Sequence, residues 1–222
     1  MLDPASPLPR LVDGPASAPA TLLLAHGAGA PMDSPFMAAV ALGLANRGWR
    51  VVRFEFPYMA RRRSSGRQQA PDRQAVLLES WRDQVVREAA EGPLFIGGKS
   101  MGGRMASLLL DELAEAGAVL GCLCLGYPFH PPGKPDQLRI DHLRAMRRSC
   151  LILQGERDSF GKRHEVERYD LAASIAVEWI PDGDHSFKPT KRSGLSEADN
   201  LDRAVERCDQ FMASSCPDRS GG

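Results

Sequence analysis

A serine bracketed by glycines, Gly98-Lys99-Ser100-Met101-Gly102, follows the apolar run Leu94-Phe95-Ile96-Gly97 and leads directly into a helical pattern. A hydroxyl on such a strand-turn-helix corner stands off the end of a sheet, and glycines on either side let neighbouring backbone come close. A hydroxyl is a weak nucleophile until a base takes its proton and an acid orients the base. Two later turns supply those residue types. Gln154-Gly155-Glu156-Arg157-Asp158 closes the apolar run that starts at Cys150, and Pro181-Asp182-Gly183-Asp184-His185-Ser186-Phe187 closes the run that ends at Ile180. The order Ser, Asp, His is the one such a corner requires in an open α/β sheet. Ser100, Asp158 and His185 are therefore the expected catalytic residues. Glu156, Asp182 and Asp184 are rival acids, although the last two read better as turn formers. His26, His130, His142 and His164 are rival bases, each read as packing or surface.

Acyl chemistry also needs donors where negative charge develops. The N–H of Met101, at the start of the helix after Ser100, is one expected donor. The second is expected in His26-Gly27-Ala28-Gly29-Ala30, whose small residues permit close backbone approach, at Ala28 with Gly29 as the rival. Neither glycine-rich segment reads as a nucleotide site. Residues 27–29 lack the third glycine of a dinucleotide fingerprint, and Pro93-Leu94-Phe95 occupy as strand the place of a phosphate loop before Gly98. Tyr58, Met59, Tyr127, Phe129 and Phe187 fall near the same rim as candidate substrate-lining residues, with packing an equal alternative. Lys99 and the run Arg61-Arg62-Arg63 offer positive charge to an anionic substrate. For the arginines a solvated loop is the simpler reading.

The elements that must position these residues alternate regularly. Apolar runs at 21–25, 51–56, 94–98, 122–125, 150–153 and 177–180 read as buried strands. Helical spacing fills 35–47, 74–90, 101–116 and 196–212, with weaker patterns at 137–146 and 165–173. Segments 60–72 and 127–135 read as loops. This alternation predicts an α/β fold with a mostly parallel central sheet and helices on both faces. A Pro/Ala-rich segment, 1–20, precedes the domain at 21–213 and has room for an edge strand; 214–222 reads as a flexible tail.

The chain has 222 residues, and 43% apolar against 25% charged is a globular balance. Lys+Arg and Asp+Glu both number 28, so no global field favours nucleic acid or anionic lipid. No apolar stretch is long enough to span a membrane, and 1–19 lacks the apolar centre of a signal peptide. Five cysteines without metal-ligand spacing read as buried thiols, and the expected location is cytoplasmic.

Together, HGAGA (26–30), FPYM (56–59), GGKSMGGR (97–104), GYPFHPPGKP (126–135), QGERDSFG (154–161) and GDHSF (183–187) resemble a small, dienelactone-hydrolase-like family of α/β hydrolases. That family includes predicted bacterial hydrolases, an animal testis-expressed protein and a related subunit of an animal histone-acetyltransferase complex. The resemblance covers about residues 20 to 213. It implies an α/β-hydrolase fold with no separate cap domain and places Ser100, Asp158 and His185 in the triad positions. Dienelactone hydrolases proper use Cys where this chain has Ser, so their substrate is not carried over. The expectation is a hydrolase cleaving an ester or thioester of a small acyl substrate, with no metal and no organic cofactor. A non-catalytic binding or scaffold protein on the same fold is the rival. A serine haloperoxidase would use the same residues, and a nucleic-acid binder would use the arginine run. Oligomeric state is not legible.

Overall fold

The computed structural model describes residues 8–216. Seven strands form one sheet in the order β1-β3-β2-β4-β5-β6-β7. They are β1 (Arg10–Asp13), β2 (Thr21–Ala25), β3 (Arg50–Phe54), β4 (Leu94–Lys99), β5 (Val119–Leu125), β6 (Cys150–Gly155) and β7 (Ile175–Ile180). All neighbouring pairs are parallel except β1 with β3, so β1 is the edge strand for which the N-terminal segment had room. The chain winds outward from β2 to β3, then crosses back to place β4 on the other side of β2. Between β2 and β4 successive connections leave in opposite directions, which opens a crevice at the strands' C-terminal ends.

Alternate residues of each strand enter alternate cores. Leu23 and Ala25 pack on one face while Leu22 and Leu24 pack on the other. Helices α1 (Pro35–Ala45) and α7 (Glu197–Ser215) cover the second face, and α3 (Gln74–Glu88) and α4 (Met101–Glu115) cover the first. The short helices α2 (Pro57–Ser65), α5 (Asp141–Arg144) and α6 (Arg163–Val166) lie in the connections. No cap domain is present among the described residues. No helix there is long and apolar enough to cross a membrane.

Four expectations about elements need correction. Residues 57–65 form a helix where a loop from residue 60 was expected. Pro57 starts it, its buried face is Tyr58-Met59-Ala60, and Gly66 ends it in the left-handed conformation. Its arginines are tied down rather than simply solvated: Arg61 pairs with Asp72, and Arg63 with Asp33 and the fully buried Glu55. The helical patterns at 137–146 and 165–173 shrink to α5 and α6, because stretches this short need tertiary contacts to hold a helix. Finally, α7 runs through Ser215 and Cys216 is buried, so residues 214–216 belong to the domain. The rest of the expected tail, 217–222, lies outside the described residues.

Candidate active site

Ser100 occupies the corner between β4 and α4 with φ 51° and ψ −115°. Few non-glycine residues adopt such a backbone, and a cost of about 1–3 kcal/mol must be met by the surroundings. Its N–H donates to the Leu125 carbonyl at 2.9 Å and its C=O accepts from Arg104 N–H, so β5 and α4 together fix the corner. The glycines have steric reasons. A Cβ on Gly98 would sit 2.5 Å from the Ala25 carbonyl oxygen, and one on Gly102 would meet the Ala25 and His26 carbonyls at 2.5 and 2.6 Å. The corner closes only with hydrogen at both places.

The loops after β6 and β7 bring the other two expected residues to this corner. His185 Nε2 lies 2.9 Å from Ser100 Oγ, and His185 Nδ1 lies 2.8 Å from Asp158 Oδ2. The Asp158 side chain is wholly buried; that of His185 is 24% exposed, so the far end of the pair meets solvent. Asp158 is held by more than the imidazole. Its Oδ2 also accepts from Gln154 Nε2 at 2.8 Å, and its Oδ1 accepts from Phe160 N–H at 2.9 Å. The rival acids are engaged elsewhere. Glu156 accepts from Arg163 and from Asp182 N–H, Asp182 accepts from Thr190, and Asp184 Oδ1 accepts from Ser186 and Lys188 N–H. The last pattern is a turn former's.

The loop after β2 lies against the nucleophile: a Cβ on Gly27 would be 3.6 Å from Ser100 Cβ. Three side chains hold its carbonyls. His26 Nε2 accepts from Phe56 N–H, which leaves the proton on Nδ1, 2.7 Å from the Gly27 oxygen. Burial pulls the His26 pKa down and keeps that ring neutral. Tyr58 Oη lies 3.2 Å from the Gly27 oxygen and 3.0 Å from the Ala28 oxygen, and Arg62 donates to the Gly29 oxygen. With the carbonyls turned toward these groups, the exposed Ala28 presents an N–H that has no acceptor among the described residues. The Met101 N–H, first in α4, has no acceptor within its own helix.

The expected lining residues look different in place. Tyr58, Met59, Tyr127, Phe129 and Phe187 are at most 2% exposed. None offers surface to a substrate here, and packing is the correction. Tyr58 holds the loop, the Tyr127 hydroxyl donates to the Arg139 carbonyl, and Phe187 packs on Phe36. Phe160, which sequence reasoning did not select, is only partly buried and lies over the His185 ring at 4.2 Å between centroids. Gln154 was likewise missed; its one signal was a polar residue inside a buried strand. Lys99 turns away from the mouth, its ammonium bonding the His185 carbonyl, so it is not a free charge for a substrate.

Two other groupings were weighed. Ser107 Oγ lies 2.9 Å from His142 Nε2, but Ser107 is buried mid-helix and already donates to the Arg104 carbonyl. The thiols of Cys122, Cys124 and Cys150 lie within 4.8 Å of one another, closer than their spacing in sequence suggested. All five cysteines are free and buried, as expected of packing thiols. Burial raises the Cys122 pKa, and the sulfur contacts with Cys122 and Cys150, with burial, raise that of Cys124, while the same kind of contact lowers that of Cys150. An apolar core that opposes two of the three thiolates does not favour a metal there.

A mostly parallel sheet crossed back beside β2, a strained serine on the β4–α4 corner, and an aspartate and histidine from the loops after β6 and β7 define an α/β-hydrolase-fold protein. The sequence agrees: residues 18–213 match the alpha/beta hydrolase domain family, and the chain belongs to it. Solved structures of the same fold include a dienelactone hydrolase from Anabaena variabilis, 19% identical, with a TM-score of 0.70 over 96% of this chain and 94% of that one. An alpha-beta serine hydrolase homologue from Coxiella burnetii is 17% identical, with a TM-score of 0.68 over 95% and 94%. A serine hydrolase without a lid from Xanthomonas campestris is 21% identical, with a TM-score of 0.64 over 92% and 91%. The α/β-hydrolase fold that the resemblance implied is the fold observed, and no cap domain lies among the described residues.

Proposed function

We propose that this protein hydrolyses a carboxylic ester or thioester of a small substrate through an acyl-enzyme on Ser100. His185 Nε2 takes the Ser100 proton as Oγ attacks the acyl carbon, and Asp158 keeps the imidazole turned toward the serine. The N–H groups of Met101 and Ala28 receive the oxyanion, each donor worth about 3–4 kcal/mol in the transition state. The imidazolium then returns its proton to the departing alcohol or thiol. Water, deprotonated by the same imidazole, releases the acid and frees Ser100. Protons and acyl group pass between side chains, substrate and water, so the cycle calls for no metal or organic cofactor.

The observation that carries this reading is the unbroken pair of contacts, 2.9 Å and 2.8 Å, joining Ser100, His185 and Asp158. A small substrate fits a crevice over which no cap domain lies among the described residues. The test is a panel of p-nitrophenyl esters and acyl thioesters of increasing chain length. The expected result is turnover of short members and a loss of about 10⁴-fold or more in Ser100→Ala. A folded wild type that turns over no member, or an alanine variant as active as wild type, would overturn it.

A further inference from the structure

Lys99 precedes the nucleophile, yet its side chain runs beneath the histidine loop. Its ammonium donates to the backbone carbonyl of His185 and lies over two aromatic rings, 5.2 Å from the centre of Phe36 and 5.9 Å from that of Phe187. Lys99 is 8% exposed and forms no ion pair among the described residues. Burying an ammonium with so few partners is expensive, and a stability role alone would be served as well by methionine. The fold also makes room for the contact. A Cβ on Gly126, which has φ +66°, would lie 2.7 Å from Lys99 Nζ, 2.8 Å from the His185 oxygen and 3.3 Å from His185 Nδ1. Gly126 thus opens the space in which the ammonium and the histidine meet.

We propose that Lys99 is a positioning residue: its charge clamps the His185 carbonyl and so holds the imidazole between Ser100 and Asp158. This rests on the hydrolase reading above. A charge-assisted bond weakens when the charge is lost. Burial lowers the Lys99 pKa to about 8, while Asp158 and Asp184 oppose the shift. Those two carboxylates and His185 are the charged or titratable groups facing it, since Phe36 from α1 and Phe187 from the loop are neutral. The clamp is therefore strongest well below pH 8, loses its charge through that region and is weakest above it. The Tyr58 and Tyr127 phenols are pushed by burial far above that range.

The test compares wild type with Lys99→Met and Gly126→Ala, each first confirmed folded by circular dichroism. With p-nitrophenyl acetate, wild-type kcat should fall as pH rises through about 8. Lys99→Met should lower kcat at pH 7 by about 10- to 100-fold, with KM nearly unchanged and no decline near pH 8. Gly126→Ala should lower kcat in the same direction. Proton NMR gives a readout independent of turnover. The low-field proton between His185 Nδ1 and Asp158 should be sharp in wild type below pH 8 and broadened by exchange in Lys99→Met. A Lys99→Met protein with wild-type kcat and the same alkaline decline, or with that proton as sharp as in wild type, overturns the proposal. If no ester is turned over, the NMR comparison still decides it, while the hydrolase reading alone falls.

Discussion

The buried Gln154 amide has four polar partners, three of them sharing the two hydrogens of Nε2. Its Oε1 accepts from Tyr127 N–H, and its Nε2 faces Asp158 Oδ2 and the carbonyls of Tyr127 and Gly161. Those bonds lock β6, the turn carrying Asp158 and the start of the 127–135 loop into one unit. Replacing the amide with an apolar side chain leaves a buried carboxylate short of a donor and a backbone N–H without its acceptor. Gln154→Leu should therefore cost about 2–3 kcal/mol in urea unfolding and roughly tenfold in kcat. Unchanged stability and turnover would show that the amide is a bystander. The three residues proposed to react were legible because each lies in the turn that follows a strand and their order along the chain is constrained. Gln154, Tyr58 and Phe160 were not. Their roles depend on which loops meet at the crevice, and nothing local in the sequence distinguishes a polar residue that braces an aspartate from one that merely caps a strand.

At the level of elements, the histidine loop is the part under most tension. Among the described residues, positive φ at non-glycine positions occurs at Ser100, Asp182 and Phe187, two of them within that loop. Helix α7 holds it from outside: Asn200 Nδ2 donates to the carbonyls of Pro181, at 3.0 Å, and Phe187, at 2.7 Å, near its two ends. Ser196 and Asp199 fix the start of α7 by bonding each other's backbone N–H, which places Asn200 one turn in. Asn200→Ala should lower the melting temperature and speed amide exchange across 181–187, with kcat falling more than KM changes. Exchange unaltered in that segment would contradict this account. Strands were read well from sequence because buried parallel strands are short apolar runs bounded by turn residues. The helix at 57–65 was missed because its arginines and serines look like a loop until Asp72, Glu55 and Asp33 are brought alongside from elsewhere in the chain.

For the molecule as a whole, balanced charge hides an uneven distribution of buried titratable groups. Burial lowers His142 to about 4, with Arg104 adding to the shift, and lowers His26 in the same direction. A histidine held neutral in the folded state while the unfolded chain takes up a proton makes stability rise with pH. For His142 the window runs from about 4, its folded value, to about 6.5, its ordinary one. The urea midpoint should climb across that interval, and His142→Gln should flatten part of the climb. A midpoint independent of pH between 4 and 6.5 would show that these rings are not held as described. Ser100, Asp158 and His185, by contrast, all leave the sheet at the C-terminal ends of its strands, beside the crevice at β2.

The most direct test of the whole account is covalent. Wild-type protein and Ser100→Ala would be treated with a fluorophosphonate and the adduct located by peptide mass spectrometry. The account predicts one saturable adduct on Ser100 in the wild type and none in the variant. A folded wild type that stays unlabelled, or a variant labelled as fully as the wild type, would contradict it.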